Sequence, residues 1–166
     1  MSYRVQIITI SDKGSRGERV DTSGPAIKRA LEKDFVVGDV IIIPDEVDLI
    51  ADAMARAIDE EGVDMVVSTG GTGLSERDVT PEATRSVIDR DLPGFAEIMR
   101  TESYKITPRA IISRAICGIR RKSIIINLPG SEKAAMECLS FVIGAIPHAL
   151  AKLQGDPSDC AVKGQP

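Results

Sequence analysis

The sequence predicts an α/β protein on a mostly parallel β-sheet, and three features predict it. Short, β-branched apolar runs at residues 3–10, 36–43 and 63–69 alternate with amphipathic stretches of helical period. The order strand, helix, strand, helix, strand is met by parallel pairing through right-handed crossovers. The third run ends in Gly70-Gly71-Thr72-Gly73, a glycine-rich turn where a strand gives way to a helix.

Taken in order, residues 3–10 form the first strand, with Val5, Ile7, Ile8 and Ile10 apolar. A long polar loop follows from Ser11 to Asp21, and long ordered loops in compact domains tend to be functional. Thr22-Ser23-Gly24-Pro25 opens a helix to about Asp34, with Ile27, Ala30 and Leu31 as its buried stripe. Val36 to Ile43 reads as one strand whose continuously apolar end predicts cover on both faces. It stops at Pro44-Asp45-Glu46. A helix over 48–61 carries Leu49, Ala53, Met54, Ala57 and Ile58 inward, and Gly62 is placed to end it.

Thr80-Pro81 opens the next helix, with a hydroxyl N-cap and proline at the first helical position, running to about Arg90. Pro93-Gly94 breaks it, and Phe95, Ile98 and Met99 belong to another. Thr107-Pro108 starts a short helix with Ile111 and Ile112. Residues 113–119 and 123–128 read as strands joined at Arg120-Arg121-Lys122. So short a link makes that pair antiparallel. Ser131 caps a long helix, which Pro147 must kink or restart. Residues 1–154 read as one domain and 155–166 as a loose tail.

Composition excludes several functions. Of 166 residues, 43% are hydrophobic and only 3% aromatic, which gives an aliphatic core and no base-stacking platform. With 21 basic and 25 acidic residues there is no basic excess for nucleic acid. Cys117, Cys138 and Cys160 form no C-x-x-C pair, which suits a reduced, cytoplasmic setting. No signal peptide or bilayer-spanning segment is read. The single histidine, His148, lies beside Pro147 on a late helix and reads as structural. His-dependent hydrolysis is therefore improbable.

Ligands of such sheets gather beyond the carboxyl ends of the strands. Residues 11–21, 44–46 and 70–78 fall there. The glycine turn is no P-loop, because no Lys-Ser/Thr follows, and Glu76 stands where a dinucleotide fingerprint wants a small residue. Bare glycines still let backbone N–H groups approach a phosphate. Asp45 and Asp78 each follow a strand end or the turn itself. Acids beside an anion site need a cation, and Mg2+ ordinarily bridges one or two carboxylates to phosphate. Asp12 and Glu46 read equally as exposed turn residues. Arg77, Lys105, Arg114 and Lys133 are candidates for reaching a phosphate, with solvated surface roles as their default.

These residues resemble a known family. Ile10-Ser11-Asp12, Asp21-x-Ser23-Gly24-Pro25, Pro44-Asp45-Glu46, Thr69 to Gly73 and Arg77-Asp78-Val79-Thr80-Pro81-Glu82-Ala83-Thr84 are similar to MogA/MoaB-like molybdopterin adenylyltransferases. Pro93-Gly94-Phe95, Ile106-Thr107-Pro108, Ser113-Arg114 and Asn127-Leu128-Pro129-Gly130-Ser131 continue the match to about Leu153. The resemblance implies a three-layer α/β/α sandwich with one antiparallel strand near the C-terminal half. It implies transfer of AMP from ATP to the terminal phosphate of molybdopterin, with Mg2+ and release of pyrophosphate. Asp45 and Asp78 would be the essential, metal-holding carboxylates. Ser11, Asp12, Asp21, Ser23, Gly70, Gly71, Thr72, Gly73, Gly130 and Ser131 would line the nucleotide and pterin pocket. A downstream metal-insertion protein and a homo-oligomer, commonly a trimer, are the implied partners. A non-catalytic molybdopterin carrier and a weakly active MoaB-type paralogue are the alternatives.

Overall fold

A computed structural model describes residues 2–157. Its centre is a seven-stranded sheet built from β1 (Arg4–Ile10), β2 (Val36–Val37), β3 (Ile41–Ile43), β4 (Met65–Thr69), β5 (Arg90–Asp91), β6 (Cys117–Arg120) and β7 (Ser123–Leu128). Spatial order runs β2, β1, β4, β7, β6, β5, with β3 also pairing to β1. β1 is parallel to β2, β3 and β4, and β4 is parallel to β7. β6 alone runs against its neighbours, β7 and β5. This is the mixed sheet expected, with the reversed strand where the two-residue turn at Arg121-Lys122 demands it.

The period-two alternation of the strands divides the core into two layers. Val5, Ile7, Met65, Val67, Ile124 and Ile126 point to one face. There they meet residues from α2 (Ser23–Leu31), α5 (Pro93–Ile106), α6 (Glu132–Val142) and α7 (Ile146–Leu153). Ile8, Ile10, Val66 and Ile125 point to the other, under α3 (Val47–Asp59) and α4 (Thr80–Val87). Fully burying one such side chain contributes about 1.5–3 kcal/mol, more than an exposed ion pair provides. The aliphatic sandwich therefore sets the architecture.

Several local expectations are corrected. The polar loop after β1 holds a short helix, α1 (Asp12–Ser15), because the Ser11 side chain caps it by accepting from Gly14 N–H. Residues 36–43 are not one strand covered on both faces. They pair as two fragments on the sheet edge, interrupted where the Gln6 side-chain amide donates to Asp39 O, and Ile41 and Ile42 stay exposed. In α3, Ile50 is buried and Leu49 is exposed.

α4 stops at Val87, so Arg90–Asp91 is free to pair with β6, and Pro93 opens α5 instead of breaking a helix. Ile111 and Ile112 lie exposed on a 3-10 turn, Pro108–Ile112. β6 begins only at Cys117.

Ser131 caps α6 as expected, accepting from Ala134 N–H. Pro147 lies in the first turn of α7, after the 3-10 segment Ile143–Ala145. The 22-residue stretch Glu132–Leu153 is, contrary to expectation, long and apolar enough by composition to cross a membrane. Here its stripe of Ala135, Leu139, Val142, Ile146 and Leu150 is buried in the core. His148 is exposed. Of the expected tail, residues 158–166, with Cys160, lie outside the described residues.

Candidate active site

Four strands end on one rim, and their loops build a cleft of about 380 Å³, the scale of a small-molecule site. Ser11, Asp21, Ser23, Asp45, Gly70, Gly71, Asp78, Gly130 and Ser131 all line it. The two acids separated by 33 positions in sequence thus share one pocket with Gly71. Thr72 and Gly73 do not line the cleft. They border a second, mostly apolar cavity of about 270 Å³, shared with Met99, Ala115 and Pro129. The glycine turn is the wall between the two.

The glycines are sterically required. Gly70 has φ 103°, and a Cβ on it would stand 2.2 Å from the carbonyl oxygen of Ile10. Gly71 has φ 64°, and its Cβ would fall 2.3 Å from Thr80 Oγ1 and 3.0 Å from Asp45 Oδ1. Left-handed backbone and close approach together leave only glycine at both positions. Ser23 Oγ donates to Gly130 O at 2.8 Å and Thr69 Oγ1 donates to Pro129 O at 2.7 Å, which ties the last loop of the rim to the others.

Asp45 and Asp12 hold one another. Asp12 N–H donates to Asp45 Oδ2 at 2.8 Å, and Asp45 N–H donates to Asp12 Oδ1 at 3.0 Å. Asp45 keeps Oδ1 beside Gly71. Burial pushes its carboxyl above the usual carboxylate range. The Asp12 N–H offsets part of this, while the charges of Asp12 and Asp78 add to it. Asp78 Oδ2 accepts from Ser75 N–H at 2.9 Å and lies against Gly73.

Asp12, expected in the pocket, is not among the residues lining the cleft. Arg77 grips it in a fork, Nε to Oδ2 at 2.9 Å and Nη2 to Oδ1 at 2.8 Å, and this contact chiefly holds its carboxyl below the ordinary value. Asp21 lines the rim with both oxygens engaged, by Thr9 Oγ1 and Gly24 N–H.

The structure also spends the basic residues. Arg114 donates to the carbonyls of Gly73 and Asp78 and pairs with Glu82, so it braces the loop from behind. Lys105 pairs with Glu102, and Lys133 approaches Glu137. Burial pushes the Cys117 thiol up to about 12, which removes it as a nucleophile at neutral pH.

Sequence reading missed two contributions. Thr80 was expected to cap α4; Val79 holds that position, and the Thr80 hydroxyl instead donates to Gly70 O at 2.8 Å. Arg114 lies 41 residues from Gly73, too far for any local pattern to link them. The Thr-Pro pair was the one available signal for Thr80.

Among the described residues no group of three or more His, Cys, Asp or Glu forms a self-contained metal cage. Asp45 and Asp78 on the cleft, with Arg19 the one basic residue among its described lining, suit instead a hard cation completed by water and phosphate oxygens. A glycine turn and two acids at the carboxyl edge of a mostly parallel sheet define an α/β domain whose cleft lies where such sheets carry their ligands. The chain belongs to the molybdopterin-binding family: the model described as "Probable molybdopterin binding domain" matches residues 6–148.

Molybdopterin adenylyltransferase of Helicobacter pylori J99 is 44% identical over 159 residues, 93% of this chain and 90% of that protein. Among solved structures, the molybdopterin biosynthesis enzyme MoaB of Thermus thermophilus superposes with a TM-score of 0.87 at 46% identity, covering 95% of this chain and 99% of that one. The tungsten cofactor synthesizing protein MoaB of Pyrococcus furiosus gives 0.86 at 35%, covering 92% and 98%.

Proposed function

We propose that this chain is a molybdopterin adenylyltransferase, a nucleotidyltransferase of molybdenum cofactor biosynthesis. The observation that carries the proposal is the meeting of Asp45, Asp78 and Gly71 in one cleft. The relatives' shared activity supports it, at 44% identity for the Helicobacter protein.

In the reaction an oxygen of the molybdopterin phosphate attacks the α-phosphorus of ATP. The bond from that phosphorus to the bridging oxygen breaks, and pyrophosphate leaves with the electron pair. The nucleophile is a phosphate monoester with a second pKa near ~6, so it is already largely ionised at neutral pH and needs no histidine base. What the protein must supply is alignment of two anions and cancellation of charge.

Asp45 and Asp78 are the residues that would hold Mg2+. Such an ion would supply charge neutralisation at the phosphates. Asp45 is presented by its reciprocal bonds with Asp12, and Arg77 fixes that pair. Gly70 and Gly71 bring backbone against the nucleotide. Ser11, Ser23, Gly130 and Ser131 border the same space. Asp45 and Asp78 together in the pocket favour catalysis over passive carriage, because the cation they would hold is what cancels charge as two phosphates are brought together.

We also read the chain as a homo-oligomer, with a trimer favoured, that passes its product to a metal-insertion protein. The exposed apolar side chains of Tyr104, Ile106, Ile111 and Ile112 support a self-association surface. A reduced, cytoplasmic setting suits the free, buried thiols of Cys117 and Cys138.

The deciding experiment is incubation with Mg-ATP, with and without molybdopterin. Pterin-dependent pyrophosphate release is expected. Pterin binding without pyrophosphate release would make the protein a carrier and sink the proposal.

A further inference from the structure

We propose that Thr80, buried behind the glycine turn, is a positioning residue that aims the N–H group of Gly71, the turn residue lining the cleft, at a phosphate of the nucleotide. This rests on the adenylyltransferase reading above and adds to it a residue that need never touch substrate.

Thr80 holds two consecutive carbonyls. Its hydroxyl donates to Gly70 O at 2.8 Å, and its own N–H donates to Gly71 O at 3.0 Å. The peptide bonds are trans, and in a planar trans peptide the N–H points opposite to the C=O. With both carbonyls drawn to Thr80, the N–H groups of Gly71 and Thr72 are turned away from it. Among the described residues no acceptor pairs with either N–H.

Gly71 lines the cleft beside Asp45. Its bare Cα lets the Thr80 hydroxyl come so near that a Cβ would collide with it at 2.3 Å. Arg114 continues the pattern, since its N–H donates to Thr72 O and its Nε to Gly73 O. Four successive turn carbonyls are thereby pulled back by two residues.

Thr80 is itself fully buried and anchored. Its carbonyl accepts from Thr84 Oγ1, which in turn accepts from Asn127 Nδ2 of β7. The donors are thus fixed from the sheet before any ligand arrives. Donors fixed in advance need no reorganisation as charge develops on the leaving pyrophosphate.

The test compares Thr80→Val, which keeps shape and N–H but loses the hydroxyl, with Thr80→Ser, which keeps the hydroxyl. Steady-state pyrophosphate release is measured alongside amide NMR of the wild type titrated with ATP. The expected result is a fall in kcat/KM for ATP of about 10–100-fold in Thr80→Val, below the full loss of one fixed donor. Thr80→Ser should stay within about threefold of wild type. In the wild type the Gly71 amide resonance should move downfield as ATP saturates.

Wild-type kcat/KM in a folded Thr80→Val, or equal losses in both variants, would overturn the proposal. So would a Gly71 amide that stays still at saturating ATP, a measurement that does not depend on Thr80→Val folding. Absence of turnover in the wild type would instead sink the adenylyltransferase reading, and the amide titration would still decide the role of Thr80.

Discussion

Asp78 has one oxygen in a bond with Ser75 N–H, a contact that shapes the turn, and its charge faces the cleft. An Asp78→Asn side chain keeps a carbonyl oxygen to accept that N–H and loses only the charge. Transfer should fall by at least about 100-fold, the scale of losing one preorganised electrostatic contact. The thermal midpoint should stay within about 2 °C, as for an exposed substitution in a chain of this size. Wild-type turnover in this variant would remove Asp78 from the mechanism. Glycine and acid positions at this scale were legible in sequence, since each follows a strand end or the glycine turn itself. The engagement of Asp12 by Arg77 was not, because 65 residues separate them and nothing local selects one acid over another.

Elements are joined by a second basic cluster, remote in sequence from the glycine turn. Arg120 of β6 forks onto Asp59 at the end of α3, with Nε 3.1 Å from Oδ1, and Arg121 Nε stands 3.1 Å from the same oxygen. The Arg120 hydrogen bonds, more than its charge, hold the Asp59 carboxyl below its ordinary value. A carboxylate lowered by folding stabilises above its unfolded pKa, and the contribution disappears as pH falls through the lowered folded value. Asp59→Asn should therefore lower the thermal midpoint at pH 7. The gap to wild type should close only below about pH 4, under the ordinary carboxylate value. A gap that persists unchanged at pH 2 would contradict the assignment. The helices and strands themselves were readable from periodicity. Their ends were misplaced where a tertiary partner intervened, as when β6 captured Arg90–Asp91 and cut α4 short at Val87.

For the whole molecule, the exposed isoleucines at one end of α5 and the turn after it predict an assembly. Light scattering should give the mass of three chains for the wild type. Ile111→Glu with Ile112→Glu should give that of one, with the circular dichroism unchanged. A monomeric wild type, or a variant that stays trimeric, would refute this surface as the interface. The sequence alone determined the alternation that makes a two-faced parallel sheet, the reversed strand before Ser123, and the glycines at the β4 exit. These follow from local sterics and from burial period, which a chain carries in its own order. Only the tertiary structure decided which side chains are spent on the protein and which remain for a ligand. Thr80, Arg77 and Arg114 find their partners across 10 to 65 positions, and such bonds depend on where the sheet brings distant loops together.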